Sequence, residues 1–271
     1  MKKYKAKKSL GQNFLKSHLA LRKIIEAGEV GKNDTVLEIG PGRGALTEKL
    51  LEKAGKVIAV EKDHELVEFL QKKFAKKISA RSLVLIHGDI LKFSPKDFNL
   101  KSGIYKLIAN IPYNITGAIL KKFLSGDEQP SMMVIMVQHE VAQRIVARSR
   151  KGGTSKESIL SISVKAYGEP RMIAKVPARY FSPAPEVDSA IIVIKNISKN
   201  LFRREGVDEK KFWETVRAGF AHKRKILVGN LRIFDKKIDW NRVFREKSIK
   251  EKARAEDLTL KDWISLAKFT N

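Results

Sequence analysis

The chain of 271 residues contains no cysteine, which excludes disulfides and thiolate metal sites. Its five histidines, His18, His64, His87, His139 and His222, show no ligand spacing, so no metal is assigned. Acidic residues are scarce: 30 Asp plus Glu stand against 55 Lys plus Arg, a net charge of +25. That balance is far too basic for an ordinary metabolic enzyme and points to a polyanion as partner, with RNA, DNA and an anionic membrane all admitted. No run approaches the roughly 18 apolar residues of a spanning helix, and Met1-Lys2-Lys3-Tyr4-Lys5 lacks the apolar core of a secretory signal. A soluble, cytoplasmic protein is expected, and no internal repeat is visible.

What is present supports a substantial core. Hydrophobic residues make up 43% of the chain, enough for one main core and a small second domain at roughly 100 to 200 residues per domain. Lys2, Lys3, Lys5, Lys7 and Lys8 form a basic tail that trails on phosphate or merely solubilises. Leu10-Gly11-Gln12-Asn13-Phe14-Leu15 follows, readable as a lid over a pocket or as a turn with a hydrophobic staple.

From residue 35 short apolar runs alternate with amphipathic stretches, the pattern of a mostly parallel sheet flanked by helices. The expected strands are Thr35–Ile39, Val57–Glu61, Leu83–His87, Tyr105–Ala109 and Met132–Val137. Ile159–Ala166 and Ser189–Lys195, rich in β-branched residues, are read as two more, closing a seven-stranded, Rossmann-like α/β sheet. Helices are expected over Ala45–Lys53, His64–Lys76, Gly117–Leu124 and His139–Arg148, and Lys151–Lys156 reads as a flexible basic loop. Beyond residue 197 strand signals stop and helical spacing places Phe212, Val216 and Phe220 on one face. The expected domains are therefore 1–197, with tail and lid in 1–15, and a small all-α domain over 198–271.

Glu38-Ile39-Gly40-Pro41-Gly42-Arg43-Gly44 follows the first strand and opens a helix, so its glycines permit a tight turn and close approach of a ligand. Glu61 ends the next strand roughly 20 residues on, where a carboxylate accepts bonds from both ribose hydroxyls. Asp89 ends another and offers an acceptor to an adenine amine, or caps a helix. A nicotinamide enzyme and an adenosylmethionine enzyme both fit. Pro41 removes a main-chain donor that a pyrophosphate would use, which favours a cofactor without phosphates.

Leu107-Ile108-Ala109-Asn110-Ile111-Pro112-Tyr113 is a buried-strand pattern ending in an amide, a proline and an aromatic ring, suited to a flat base. An adenine amine is a poor nucleophile because its lone pair is delocalised into the ring. Asn110 and a carbonyl of the Ile111-Pro112 segment can accept its N–H bonds and stabilise charge developing on it. Pro112 fixes the carbonyl geometry, Tyr113 stacks, and Phe181 in its proline-rich loop is the candidate for the opposite wall. A polar turn with a surface tyrosine is the plainer alternative.

Gly11-Gln12-Asn13-Phe14-Leu15, the Glu38–Thr47 glycine motif, Asn110-Ile111-Pro112-Tyr113-Asn114 and Phe181-Ser182-Pro183-Ala184-Pro185-Glu186-Val187-Asp188-Ser189-Ala190 together resemble the ribosomal RNA adenine dimethyltransferases. The resemblance covers nearly the whole chain and is greatest to the bacterial small-subunit group. It implies a class I methyltransferase fold and S-adenosylmethionine held by Asn13, Leu15, Gly40, Glu61, Asp89 and Asn110, with Gln12 and Gly42 beside them. It also implies dimethylation of N6 on two adjacent adenines in a 3′-terminal hairpin loop of 16S rRNA, by a monomer acting on a pre-30S particle. Gly11, Val187-Asp188-Ser189-Ala190, Phe220-Ala221-His222-Lys223-Arg224-Lys225 and Arg254-Ala255-Glu256-Asp257-Leu258 resemble the small-subunit group rather than the macrolide-resistance methyltransferases of the large subunit. His139 stands where the family usually has Lys, and the segment 157–164 departs from the family pattern, so the 149–158 loop is expected to meet RNA differently. Lys223, Arg224 and Lys225, with Arg217 and His222, are read as docking phosphates, against a solvated charged face. A non-catalytic RNA-binding assembly factor and a DNA adenine methyltransferase are the remaining alternatives.

Overall fold

Apolar runs covered on both sides of a sheet form the centre of the molecule. The computed structural model describes residues 6–147, 156–222 and 224–270. The chain divides into two compact units, Met1–Gln143 with Gly168–Ser198, and Arg144–Tyr167 with Lys199–Asn271.

The first unit contains β1 (Phe14–Leu15), α1 (His18–Ala27), β2 (Thr35–Ile39), α2 (Ala45–Lys53), β3 (Lys56–Glu61), α3 (His64–Lys73), α4 (Ala75–Ser79), β4 (Leu83–His87), β5 (Tyr105–Asn110), α5 (Thr116–Ser125), β6 (Met132–Gln138) and the start of α6 (His139–Val146). After a segment belonging to the other unit come β7 (Glu169–Val176), β8 (Phe181–Ser182) and β9 (Ser189–Lys195). Seven strands lie in the order β4-β3-β2-β5-β6-β9-β7, with β4 through β6 mutually parallel and β9 antiparallel to both neighbours. Val36, Leu37, Val57, Ile58, Leu107, Ile108, Val134 and Ile135 are fully buried, which is why the central strands read as continuous apolar runs rather than alternating ones.

Two topological facts position the site. The chain leaves β2 toward β3 and β4, then returns to the other side of β2 as β5, so the crevice beyond β2 and β5 is where a doubly wound sheet binds ligands. The reversed strand β9 begins where its neighbour β6 ends, pairing Ser189 with Gln138 at that same rim.

Three expectations are corrected. Ile159–Ala166 forms a helix, α7 (Ile159–Lys165), because a reciprocal capping box starts it: Ser161 N donates to Ser158 Oγ (3.1 Å) and Ser158 N to Ser161 Oγ (2.7 Å). These local bonds override the strand preference of the β-branched residues. The seventh strand is instead β7, an edge strand whose alternating half-buried and exposed residues include Pro170, and which carries a bulge at Met172/Ala174. The expected helix His64–Lys76 breaks at Phe74 (φ −111°, ψ 24°) into α3 and α4.

In the second unit, α7 and α8 (Asn200–Glu205), α9 (Glu209–Gly219), α10 (Leu227–Phe234), α11 (Trp240–Glu246) and α12 (Leu260–Ala267) surround buried Phe212, Val216, Leu231, Trp240, Phe244 and Trp263. The segment 144–167, grouped by sequence with the preceding strands, belongs to this helical unit. The basic tail over residues 1–5, the loop Lys151–Lys156 as far as residue 155, Arg148 and Lys223 lie outside the described residues.

Candidate active site

Beyond the ends of β2, β3 and β5 lies a cavity of about 540 Å³ lined by Gln12, Asn13, Leu15, Glu38, Gly40, Gly42, Glu61, Asp89, Asn110, Pro112 and Tyr113, among others. All the expected cofactor residues meet in it. Its size is that of a pocket that encloses a small organic molecule.

The glycine turn is shaped by need. Gly40 (φ 61°) and Gly42 (φ 59°) adopt left-handed backbone that a side chain disfavours. A Cβ on Gly42 would sit 3.0 Å from the Phe14 ring, while Gly40 has open space around it. Gly42 N then donates to Glu61 Oε2 (3.0 Å) and Asp63 N to Glu61 Oε1 (2.9 Å). Each Glu61 oxygen keeps lone-pair capacity for a ligand hydroxyl. Burial pushes the Glu61 carboxyl upward, opposed by these main-chain donors.

Asp89 has two partners, Lys62 Nζ at Oδ2 (2.8 Å) and Leu91 N at Oδ1 (2.9 Å). The Lys62 ammonium holds its carboxyl below the usual carboxylate range, so Asp89 stands ionised at the cavity edge. No helix begins at Asp89, so the helix-cap alternative is not realised; its bond from Leu91 N closes a turn.

Residues 7–15 run over the cavity as a strap. Lys7 Nζ and Gln12 Nε2 donate to the two oxygens of buried Asp63 (2.8 and 2.9 Å), itself the N-cap of α3, and β1 pairs antiparallel with β8. Arg43 lies 4.9 Å over the Phe14 ring. Gln12 thus helps tie the strap down as well as lining the cavity.

At the end of β5, Asn110 Nδ2 donates to the main-chain oxygen of Asn13 (3.1 Å). A carbonyl partner fixes which way the amide faces, leaving Oδ1 as the acceptor without a partner among the described residues. Pro112 (φ −60°, ψ 131°) leads into a turn in which its own carbonyl accepts from Ile115 N (3.3 Å), and Ile111, which lines the cavity, carries the main-chain carbonyl next after Asn110. Tyr113 Oη is bonded to Ser189 Oγ at 2.5 Å, which fixes the ring, and burial raises its pKa.

Phe181 departs from its expected role. Its ring is 2% exposed, packs in the core cluster with Leu15, and does not line the cavity; Ser182 does. The wall facing Tyr113 is not supplied by Phe181 in this conformation, because its backbone in β8 turns the ring inward. Phe181→Ala should lower unfolding free energy by about 3 to 5 kcal/mol, measured by denaturant titration, and a loss below about 1 kcal/mol would place the ring outside the core.

Glu38 opens the glycine motif, and its pattern in sequence assigns it no role. It is 1% exposed, lines the cavity, and its Oε2 has no hydrogen-bond partner among the described residues. Burial, with the Glu61 charge adding and the nearby Thr47 hydroxyl opposing, pushes the Glu38 carboxyl up to about 8. The unfolded chain releases this proton near its ordinary 4.5 and the folded chain holds it to about 8, so stability falls as pH rises through that window. In thermal unfolding of the cofactor-free protein, Glu38→Gln should gain on the wild type between about pH 5 and about pH 8.5. A pH-independent difference would show the acid ionised throughout.

A doubly wound sheet with a glycine turn, a strand-end carboxylate and an uncommitted strand-end amide defines a nucleoside-binding methyltransferase. The model of the family ribosomal RNA adenine dimethylase matches residues 3–271, and the chain belongs to that family. It is 47% identical over 227 residues to ribosomal RNA small subunit methyltransferase A of Dehalococcoides mccartyi strain CBDB1, covering 84% of this chain and 75% of that one. Among solved structures, a dimethyladenosine transferase from Plasmodium falciparum aligns with a TM-score of 0.77 and 25% identity, over 95% of this chain and 97% of that one. The 23S rRNA methyltransferase ErmE shares the fold, with a TM-score of 0.73 and 24% identity over 94% of this chain and 98% of that one. The protein is an S-adenosylmethionine-dependent rRNA adenine dimethyltransferase.

The residues present fit that cofactor. A buried acid with an orphaned oxygen in the cavity wall is the group that a cationic ligand satisfies, and the open space at Gly40 admits close approach. Among the described residues no group of three or more His, Asp or Glu could hold a metal ion, and no helix is long and apolar enough to cross a membrane.

Proposed function

We propose that the chain methylates N6 of two adjacent adenines in a hairpin loop near the 3′ end of 16S rRNA, acting as a monomer on a pre-30S particle in the cytoplasm. The observation that carries this reading is the Asn110 amide, oriented by Asn13 so that Oδ1 is free at the end of β5, beside the fixed Tyr113 ring.

S-adenosylmethionine, when bound, supplies an electrophilic methyl group on a sulfonium. Gly40, Gly42 and Glu61 would hold the nucleoside portion, Asp89 would accept from its adenine amine, and Asn13, Leu15 and Gln12 line the same cavity from the strap. On the acceptor side, Asn110 Oδ1 and the Ile111 carbonyl take both N–H bonds of the target amine in the first transfer, and one of them takes the single remaining N–H in the second. That favours a pyramidal nitrogen and stabilises the positive charge it develops, while Tyr113 stacks on the base for about 1 to 3 kcal/mol. In each transfer N6 would take the methyl as the sulfonium S–CH3 bond breaks to leave a neutral thioether, and N6 would release one proton to water, so alignment matters more than a strong base. Arg224 and Lys225, exposed in the second unit, and Lys223 between His222 and Arg224 in sequence, dock phosphates and carry no base specificity. The net charge of +25 supports a polyanionic particle as partner.

Incubation with labelled S-adenosylmethionine and unmodified small and large subunits, followed by mapping of the labelled nucleotide, tests the reading. Label at two adjacent small-subunit adenines is expected. Label confined to the large subunit would move the chain to the resistance group, and none in either would favour a non-catalytic assembly factor.

A further inference from the structure

Beside the donor cavity opens a second, lined by Gly11, Asn13, Tyr113, Asn114 and Gln138. The first four also line the donor cavity, so the two are continuous; Gln138 lines the second alone. This residue was not singled out from the sequence.

Its placement follows from register. Asn110 pairs with Met136 across β5 and β6, and side chains alternate with period two, so Gln138 emerges on the same face and at the same end as Asn110. It is the first polar residue after a buried run from Met132 to Val137. Two of the other polar side chains here are committed. Tyr113 Oη is bonded to Ser189 and Asn13 Nδ2 leans on Gly11 O (3.4 Å). The side-chain amides of Asn114 and Gln138 have no hydrogen-bond partner among the described residues. Asn114 Oδ1 faces the strap, where a Cβ on Gly11 would meet it at 3.3 Å, and Asn114 lines both cavities, whereas Gln138 is an amide that lines the second cavity and not the first.

We infer that Gln138 binds the target base itself, donating an amide N–H to one of the two ring nitrogens, N1 or N7, that flank the adenine amine. The inference rests on the reading of Asn110 to Tyr113 as an adenine pocket. Two carbonyls on the amine hold N6 but leave the ring free to swing in its plane. A third bond at a ring nitrogen removes that freedom and aims the N6 lone pair. Gln138 is thus a specificity-determining residue whose neutral donor suits a ring nitrogen, whereas a carboxylate would meet its lone pair with repulsion.

Small subunits reconstituted with 16S rRNA carrying adenosine, 1-deazaadenosine or 7-deazaadenosine at the two loop positions provide the test. Single-turnover transfer of labelled methyl is measured for wild type, Gln138→Met and Gln138→Glu. The wild type should be about five- to tenfold slower on one analogue, the value of one neutral hydrogen bond. Gln138→Met should lose about the same factor on adenosine and be indifferent to that analogue, and Gln138→Glu should be slower still. The ratio of adenosine to analogue is internal to each variant, so a loss of folded protein cancels in it. Wild-type indifference to both analogues, or an undiminished analogue penalty in Gln138→Met, would overturn the role of Gln138 alone. Failure of the wild type to label adenosine-bearing particles would instead overturn the adenine pocket on which it rests.

Discussion

Asn110→Ala should slow single-turnover methyl transfer by about 10²- to 10³-fold, the range seen when one preorganised group facing a developing charge is removed. The affinity for S-adenosylmethionine, read by calorimetry, should change only a few-fold, about the effect of a single neutral hydrogen bond. Two losses combine in this variant: the acceptor Oδ1 and the bond from Nδ2 to Asn13 O. Asn110→Asp separates them, because an acceptor remains but the donor to Asn13 is replaced by a carboxylate oxygen opposing a carbonyl. It should fall nearly as far as alanine if orientation of the amide matters. Near-normal turnover by Asn110→Ala would remove the amide from the chemistry.

Glu61→Gln should weaken S-adenosylmethionine binding by about 100-fold, nearly as much as Glu61→Ala, which is the value of losing charge-assisted hydrogen bonds. Substitution by the isosteric amide is severe for a geometric reason. Both carboxylate oxygens accept from main-chain N–H groups, of Gly42 and of Asp63. An amide nitrogen at either oxygen position would face a donor at about hydrogen-bonding distance, and the glycine turn would have to shift. An unchanged dissociation constant in calorimetry would reject the role of Glu61. Retained binding in Gln with loss in Ala would show that shape, rather than charge, is what this position supplies.

The parts of the fold legible in sequence are those in which the apolar pattern is unbroken. β2 and β9 match their expected limits because buried runs bounded by glycine or polar residues have one reading, and β4 and α2 match because each keeps an unbroken apolar pattern of its own period. Edges and segments governed by local bonds are harder. β7 mixes Glu, Pro, Arg and Lys into a half-exposed strand, and α7 is started by two serine hydroxyls in a sequence otherwise suited to a strand. The cofactor wall was legible because strand-end carboxylates and left-handed glycines carry their chemistry locally. Phe181 was not, since the face a ring presents depends on the pairing of β8 with β1, which no local pattern encodes. Ser189 and Gln138 come together only because β9 runs backwards, a fact of topology.

The strap across the cavity does two jobs with one segment. Its hold on Asp63 closes the donor pocket, and its Asn13 carbonyl sets the direction of the Asn110 amide. One short segment thus lines the donor pocket and sets the acceptor amide, so a substitution between Gly11 and Asn13 bears on cofactor affinity and on transfer to the base together.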